Sequence, residues 1–210
     1  VGDTDQRSDL TKTINYLRDH GLTKELAAKY QLGFVNPAES ADNRYRGMLA
    51  IPYRTHAGVV AIKFRCVEDH DHGAFHHGKY SQPEGQEPWI FNPQAFFDAD
   101  ETIGVAEGEI DAIVATEFLG VPTIGIPGVE IWKANRKSWR RTLDDYRIVL
   151  IFVDGDTKRE DGSQPGLDMA RSIQSDVRGR GRLVKCDQGQ DVASMVAADK
   201  VELLRERMGM

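Results

Sequence analysis

The chain has 210 residues, 40% hydrophobic and 29% charged, with a formal net charge of −6. That is enough for one domain or two small lobes with a real core, and no apolar run approaches membrane-spanning length. The acidic balance argues against a nucleic-acid partner for the surface as a whole, although net charge says little about local patches. Cys66 and Cys186 stand too far apart for a metal knuckle, and no secretory leader opens the chain, so a reduced cytoplasmic setting is expected.

Residues 1–7 are polar and are expected to fray. Ser8 or Asp9 opens a first helix with Leu10, Ile14 and Leu17 on its buried stripe, and His20-Gly21 ends it. Thr23 caps a second helix carrying Leu26, Ala27 and Tyr30, and a polar loop follows from Asn36 to Asn43. From Arg44 to Val67 there is no acid. Met48–Tyr53 and Val59–Cys66 read as a hairpin about Thr55-His-Ala-Gly58. Alternation puts Val60, Ile62 and Phe64 on one face and Lys63 and Arg65 on the other, with Arg46 and Arg54 flanking. Such a face is either solvated surface or a groove for a nucleic-acid backbone, and the pattern leaves both open.

Residues 68–88 form a long polar loop in which His70, His72, His76 and His77 gather with Cys66 and Asp71. A transition-metal site is one reading. The irregular spacing and the lack of a second nearby cysteine favour an ordinary surface loop. Lys79-Tyr80 closes the loop, and Asn92-Pro93 opens a helical turn through Phe97.

Strands are then expected at 102–106, 121–126, 147–153 and 182–186. Helices are expected at 108–119, 132–143, 166–178 and 191–207. This alternation predicts an α/β unit with a parallel sheet and right-handed crossovers. Lys133, Arg136, Lys137, Arg140 and Arg141 make one helical stripe, read as solvated surface. Two strands end in acids beside glycine: Glu107-Gly108 after the first, Asp154-Gly155-Asp156 after the third. Ligands of open α/β sheets bind beyond the carboxyl ends of the strands. Glu107, Asp154 and Asp156 are expected to meet there, with Asp111 one helical turn on. Carboxylates that close need a cation between them, and hard oxygen ligands suit Mg²⁺ or Mn²⁺. Helix-capping alone explains either acidic tip but not both together.

Several segments in order resemble the Toprim domain as it occurs in bacterial and phage-type DNA primases. They are Glu107-Gly-Glu-Ile-Asp-Ala112, Gly120-Val-Pro-Thr-Ile-Gly-Ile-Pro-Gly128 and Asp154-Gly-Asp156. Ahead of them, Tyr16–Leu22 with Tyr30–Gly33 resembles the helical unit that opens the primase core. Arg46–Pro52, Gly58–Arg65 and Gly78–Pro83 resemble its basic β-lobe. The resemblance spans roughly residues 10–196 and implies a Rossmann-like parallel sheet (98–210) preceded by a small mixed α+β basic lobe (1–97).

Position by position, the resemblance implies Glu107 as general acid/base or metal ligand. Asp111, Asp154 and Asp156 match metal-binding acids, and Asp191, after Gln190, is a further candidate. Arg46, Arg54, Lys63, Arg65 and Lys79 fall in the basic lobe, of which Lys63, Arg65 and Lys79 match residues contacting template or nucleotide. The implied activity is metal-dependent synthesis of short RNA primers on single-stranded DNA from NTPs, using Mg²⁺ or Mn²⁺, with two ions expected. A Toprim nuclease is the alternative. A topoisomerase would need a nucleophilic tyrosine in a separate domain, and a recombination mediator a four-Cys finger.

Three departures stand out. Ala193 occupies the place of a usual second acid, Thr157–Gln164 delays the helix after Asp154-Gly-Asp156, and no four-ligand structural zinc module or helicase motor is present. The chain is therefore expected to be a fragment or a core that works with a replicative helicase and a separate zinc-binding, template-selecting module.

Overall fold

The computed structural model describes residues 2–36, 43–72, 74, 78–155 and 162–209. Two compact units divide the chain, one ending at Glu87 and the next beginning at Pro88. The division falls ten residues before the boundary expected at 97/98, because the intervening segment packs into the second unit. Phe91 exchanges backbone hydrogen bonds with Gly125, and Ala95 is buried in the second unit's core.

In the first unit, α1 (Gly2–Asp19) and α2 (Lys24–Lys29) precede β1 (Gly33–Phe34), β2 (Leu49–Thr55), β3 (Gly58–Arg65) and β4 (Tyr80–Ser81). The four strands form an antiparallel sheet in that order. α1 begins at Gly2 rather than at Ser8 or Asp9. Its buried face also differs from the expected stripe: Leu10 is 43% and Ile14 54% exposed, while Thr13 is buried. The Thr23 cap forms as expected, its Oγ1 accepting from the Leu26 N–H at 3.3 Å. Tyr45, Met48, Phe64 and Cys66 make the small core, with the Tyr45 and Phe64 rings stacked at 4.0 Å.

The second unit contains α3 (Ala95–Asp98), β5 (Thr102–Ala106), α4 (Glu109–Leu119), β6 (Thr123–Gly125), α5 (Val129–Trp139), β7 (Ile148–Val153), α6 (Pro165–Asp176), β8 (Gly181–Lys185), α7 (Val192–Ala197) and α8 (Val201–Met208). The strands form a sheet in the order β6-β5-β7-β8, all parallel, as the alternation of strand and helix predicts. Ile103, Val105, Val149, Ile151 and Val153 share a core with Trp132 of α5 and Ile173 of α6. These strands are buried on both faces, which is why they read as unbroken apolar runs.

In place of the one long final helix expected over 191–207 there are two. Asp199, at φ 59, turns the chain between α7 and α8. Within the sheet, β5 approaches β6 closely at Gly104, where a Cβ would fall 2.1 Å from Thr123 Oγ1.

Candidate active site at the acidic strand tips

β5 and β7 are hydrogen-bonded neighbours, with Val105 opposite Ile151. Continuing that register by two residues brings Glu107 level with Val153, directly before Asp154. The chain runs from β5 to β6 on one side and from β7 to β8 on the other. The crevice between β5 and β7 is thus the point where strand order reverses, the usual ligand position of an open α/β sheet.

Each acid is held differently. Glu107 reaches toward the start of α6: a Cβ on Gly166 would lie 2.6 Å from its Oε2. Pro165-Gly166 opens that helix, so the carboxylate stands at its N-terminal end, where the helix dipole favours negative charge. Asp111 is buried, and its Oδ1 accepts from the Ala193 N–H at 2.9 Å, tying α4 to the first turn of α7. Ala193, standing where the resemblance would place a second acid, therefore supplies a backbone donor to the first. Asp191 caps α7, with Oδ1 accepting from Ser194 N–H at 2.7 Å and Ser194 Oγ accepting from Asp191 N–H at 2.8 Å. Helix capping thus accounts for part of this residue's chemistry. Asp191→Asn should keep the cap and its stability, whereas Asp191→Ala should cost about 1 kcal/mol by denaturant titration.

Asp154 follows β7, and Gly155 after it is locked to the loop before α7. Gly155 N–H donates to Gln190 O at 2.8 Å, and Gly189 N–H donates to Gly155 O at 2.7 Å. Asp156 and most of the Thr157–Gln164 insertion lie outside the described residues. Cys186, at the end of β8, reports on the electrostatics. Burial, reinforced by the charges of Asp154, Asp111 and Asp191, pushes its thiol far above the ordinary range, against an opposing pull from Arg207. Three of the described acids thus bear on one buried point.

Some contributors leave no mark in the sequence. A cleft of about 670 Å³ is lined by Glu107, Gly128, Lys133, Gly166 and Asp168, among others, between the first turns of α5 and α6. Lys133, exposed as expected of its stripe, also lines that cleft and donates to Glu130 at 2.7 Å. Arg136, next on the stripe, pairs with Asp176 of α6 through two contacts of 2.6 and 2.8 Å. Glu109 is buried at the start of α4, inside the motif but assigned no role from sequence. Through-space neighbours such as Lys133 and Asp168 leave no spacing signal.

In the first unit the basic candidates divide. Arg46, Arg54 and Lys79 are exposed. Lys63 and Arg65 are half-buried and packed on aromatic rings. Lys63 Nζ lies 4.2 Å from the Tyr80 ring centre. The Arg65 guanidinium lies 4.5 Å from the Tyr16 ring and 5.0 Å from that of Tyr80, whose hydroxyl it also bonds. Arg65→Ala should therefore destabilise the first unit by about 1–2 kcal/mol in chemical denaturation. Arg54→Ala, at an exposed position, should leave stability unchanged in the same titration.

No family model matches the chain. It is 34% identical over 169 residues to the Gene 57 protein of Mycobacterium phage D29, spanning 78% of this chain and 99% of that one. Its fold matches the RNA polymerase domain of Mycobacterium tuberculosis primase DnaG, solved in complex with a double-stranded DNA oligomer with a 6-nucleotide overhang. That match has TM-score 0.68 and 17% identity, covering 96% of this chain and 73% of that one. It also matches the primase fragment of the bacteriophage T7 primase-helicase protein, with TM-score 0.66 and 16% identity over 91% of this chain and 73% of that one. The parallel sheet with flanking helices and the preceding antiparallel lobe are the architecture expected from the Toprim resemblance. The chain belongs to the family of the mycobacteriophage D29 Gene 57 protein, and it has the fold of a DnaG-type primase catalytic core.

Proposed function

We propose that this chain is a primase catalytic core that joins ribonucleotides into short RNA primers on single-stranded DNA, with Mg²⁺ or Mn²⁺ as cofactor. The observation that carries the reading is the parallel pairing of β5 with β7, from whose ends Glu107 and Asp154 leave the sheet side by side at its switch point. The donor set fits a hard divalent cation. Glu107, Asp111, Asp154 and Asp191 offer oxygen only, and the charge of the last three reaches the same buried thiol. Asp156, one residue beyond the described segment, completes the proposed set. When bound, two such ions would neutralise charge gathering at the α-phosphate of an incoming NTP and orient the attacking 3′-hydroxyl.

The chain's own residues do the positioning. Asp111 is fixed by Ala193 N–H, leaving Oδ2 toward Gly108, and Gly155 anchors Asp154 against the loop before α7. Glu107 lines the cleft with Lys133, where a cation suits the charge of a bound phosphate. Exposed Arg46, Arg54 and Lys79 suit a template backbone, and Lys63 and Arg65 stiffen the surface on which they stand. Template choice and helicase coupling would fall to partner modules.

The test incubates the full chain with Mn²⁺ or Mg²⁺, single-stranded DNA and labelled NTPs. Labelled products longer than a dinucleotide support the reading. DNA shortened without RNA product would point instead to a nuclease.

A further inference from the structure

In the first unit, one group of three metal-ligating side chains draws together among the described residues. Cys66 Sγ and one ring nitrogen each of His70 and His72 all lie within 4.8 Å of one another. Cys66 Sγ is 3.8 Å from His70 Nε2. The His70 and His72 rings meet edge to face with centroids 4.7 Å apart. Zinc bonds of about 2.3 Å to sulfur and about 2.05 Å to nitrogen, at a tetrahedral angle, put the two ligand atoms about 3.6 Å apart. The Cys66–His70 pair is already close to that spacing.

A buried cysteine alone is an ordinary small core residue, and Cys66 does pack with Tyr45, Met48 and Phe64. Here, however, two imidazoles converge on it from a stretch with no helix or strand to bring them there. We propose that Cys66, His70 and His72 bind one Zn²⁺, with water as the fourth ligand and the thiol proton released to solvent. One thiolate and two imidazoles select a borderline-soft ion, a donor set unlike the all-oxygen one at the strand tips.

The site would clip the start of the loop onto the end of β3. Cys66 N–H donates to Lys79 O at 3.0 Å, and Arg65 pairs with Tyr80 across β3 and β4. The clip would hold the stretch on which Lys79 and Tyr80 rejoin the sheet. This inference does not depend on the primase reading.

The test strips the full, tag-free chain with a chelator and titrates it with Co²⁺, then with Zn²⁺. One equivalent of Co²⁺ should raise a sulfur-to-cobalt charge-transfer band, which Zn²⁺ then bleaches. Cys66→Ser should abolish the band, and Cys186→Ser should leave it intact. His70→Gln and His72→Gln should each weaken binding at least about tenfold. Because Cys66 is buried, its variant is first checked by circular dichroism. The histidine variants, at half-buried positions, decide the matter should the serine variant not fold. A wild-type chain without the band, or both histidine variants binding with full affinity, would overturn the proposal.

Discussion

Asp154→Asn is expected to reduce primer synthesis by about a thousandfold or more while the protein stays folded. Asparagine keeps the shape of the side chain and removes its charge. If the site works by holding cations at the reacting phosphate, the loss of one anionic ligand should remove at least about 4 kcal/mol of transition-state stabilisation, at 1.36 kcal/mol per decade of rate. Stability should change little, because Asp154 is half-buried beyond the last residue of β7. Dinucleotide formation with labelled NTPs gives the rate, and a thermal melt gives the fold. A well-folded variant that still makes dinucleotides near the wild-type rate would sink the metal-site reading. Glu107→Gln, assayed in parallel, separates the two strand tips.

Gly155→Ala should fail for a different reason. A Cβ at this position would lie 1.7 Å from the carbonyl oxygen of Asp187 and 3.0 Å from Gln188 Cα. Both obstacles are backbone, so no side chain can swing away. Relief requires the loop before α7 to separate from the β7 tip, breaking the Gly155–Gln190 and Gly189–Gly155 hydrogen bonds. A destabilisation of about 3 kcal/mol or more is expected by urea denaturation, with synthesis lost as Asp154 and Asp191 shift relative to one another. Gly85→Ala is the control: its φ of 75° is strained for alanine, but nothing lies within 4 Å, so about 1 kcal/mol is expected. Equal costs at the two sites would mean that crowding at Gly155 is relieved more easily than its neighbours suggest.

The parallel sheet was legible because strands buried on both faces must be apolar, and 103–106 and 148–153 carry no polar side chain. The place of Glu107 and Asp154 at the strand ends was legible because each directly follows such a run. What sequence could not give was contact across space. Lys133 belongs to a charged stripe by periodicity but lines the Glu107 cleft, because α5 and α6 start beside each other. Leu10 and Ile14 follow helical spacing, yet spacing does not say which face of α1 a neighbour covers, and Thr13 is the buried one. The last helix reads as continuous because neither Gly nor Pro interrupts it; Asp199, tolerant of a positive φ, makes the break. Irregular spacing in the loop left a metal site as the less favoured of two readings, and only three dimensions single out His70 and His72 beside Cys66.

The clamp between Gly155 and residues 189–190 also bears on how the chain can vary. It grips the residue immediately after Asp154, so the tip of β7 and the loop before α7 are held as one piece. A change of length in that loop would be carried straight to the carboxylate, so related chains should keep residues 187–190 at constant length.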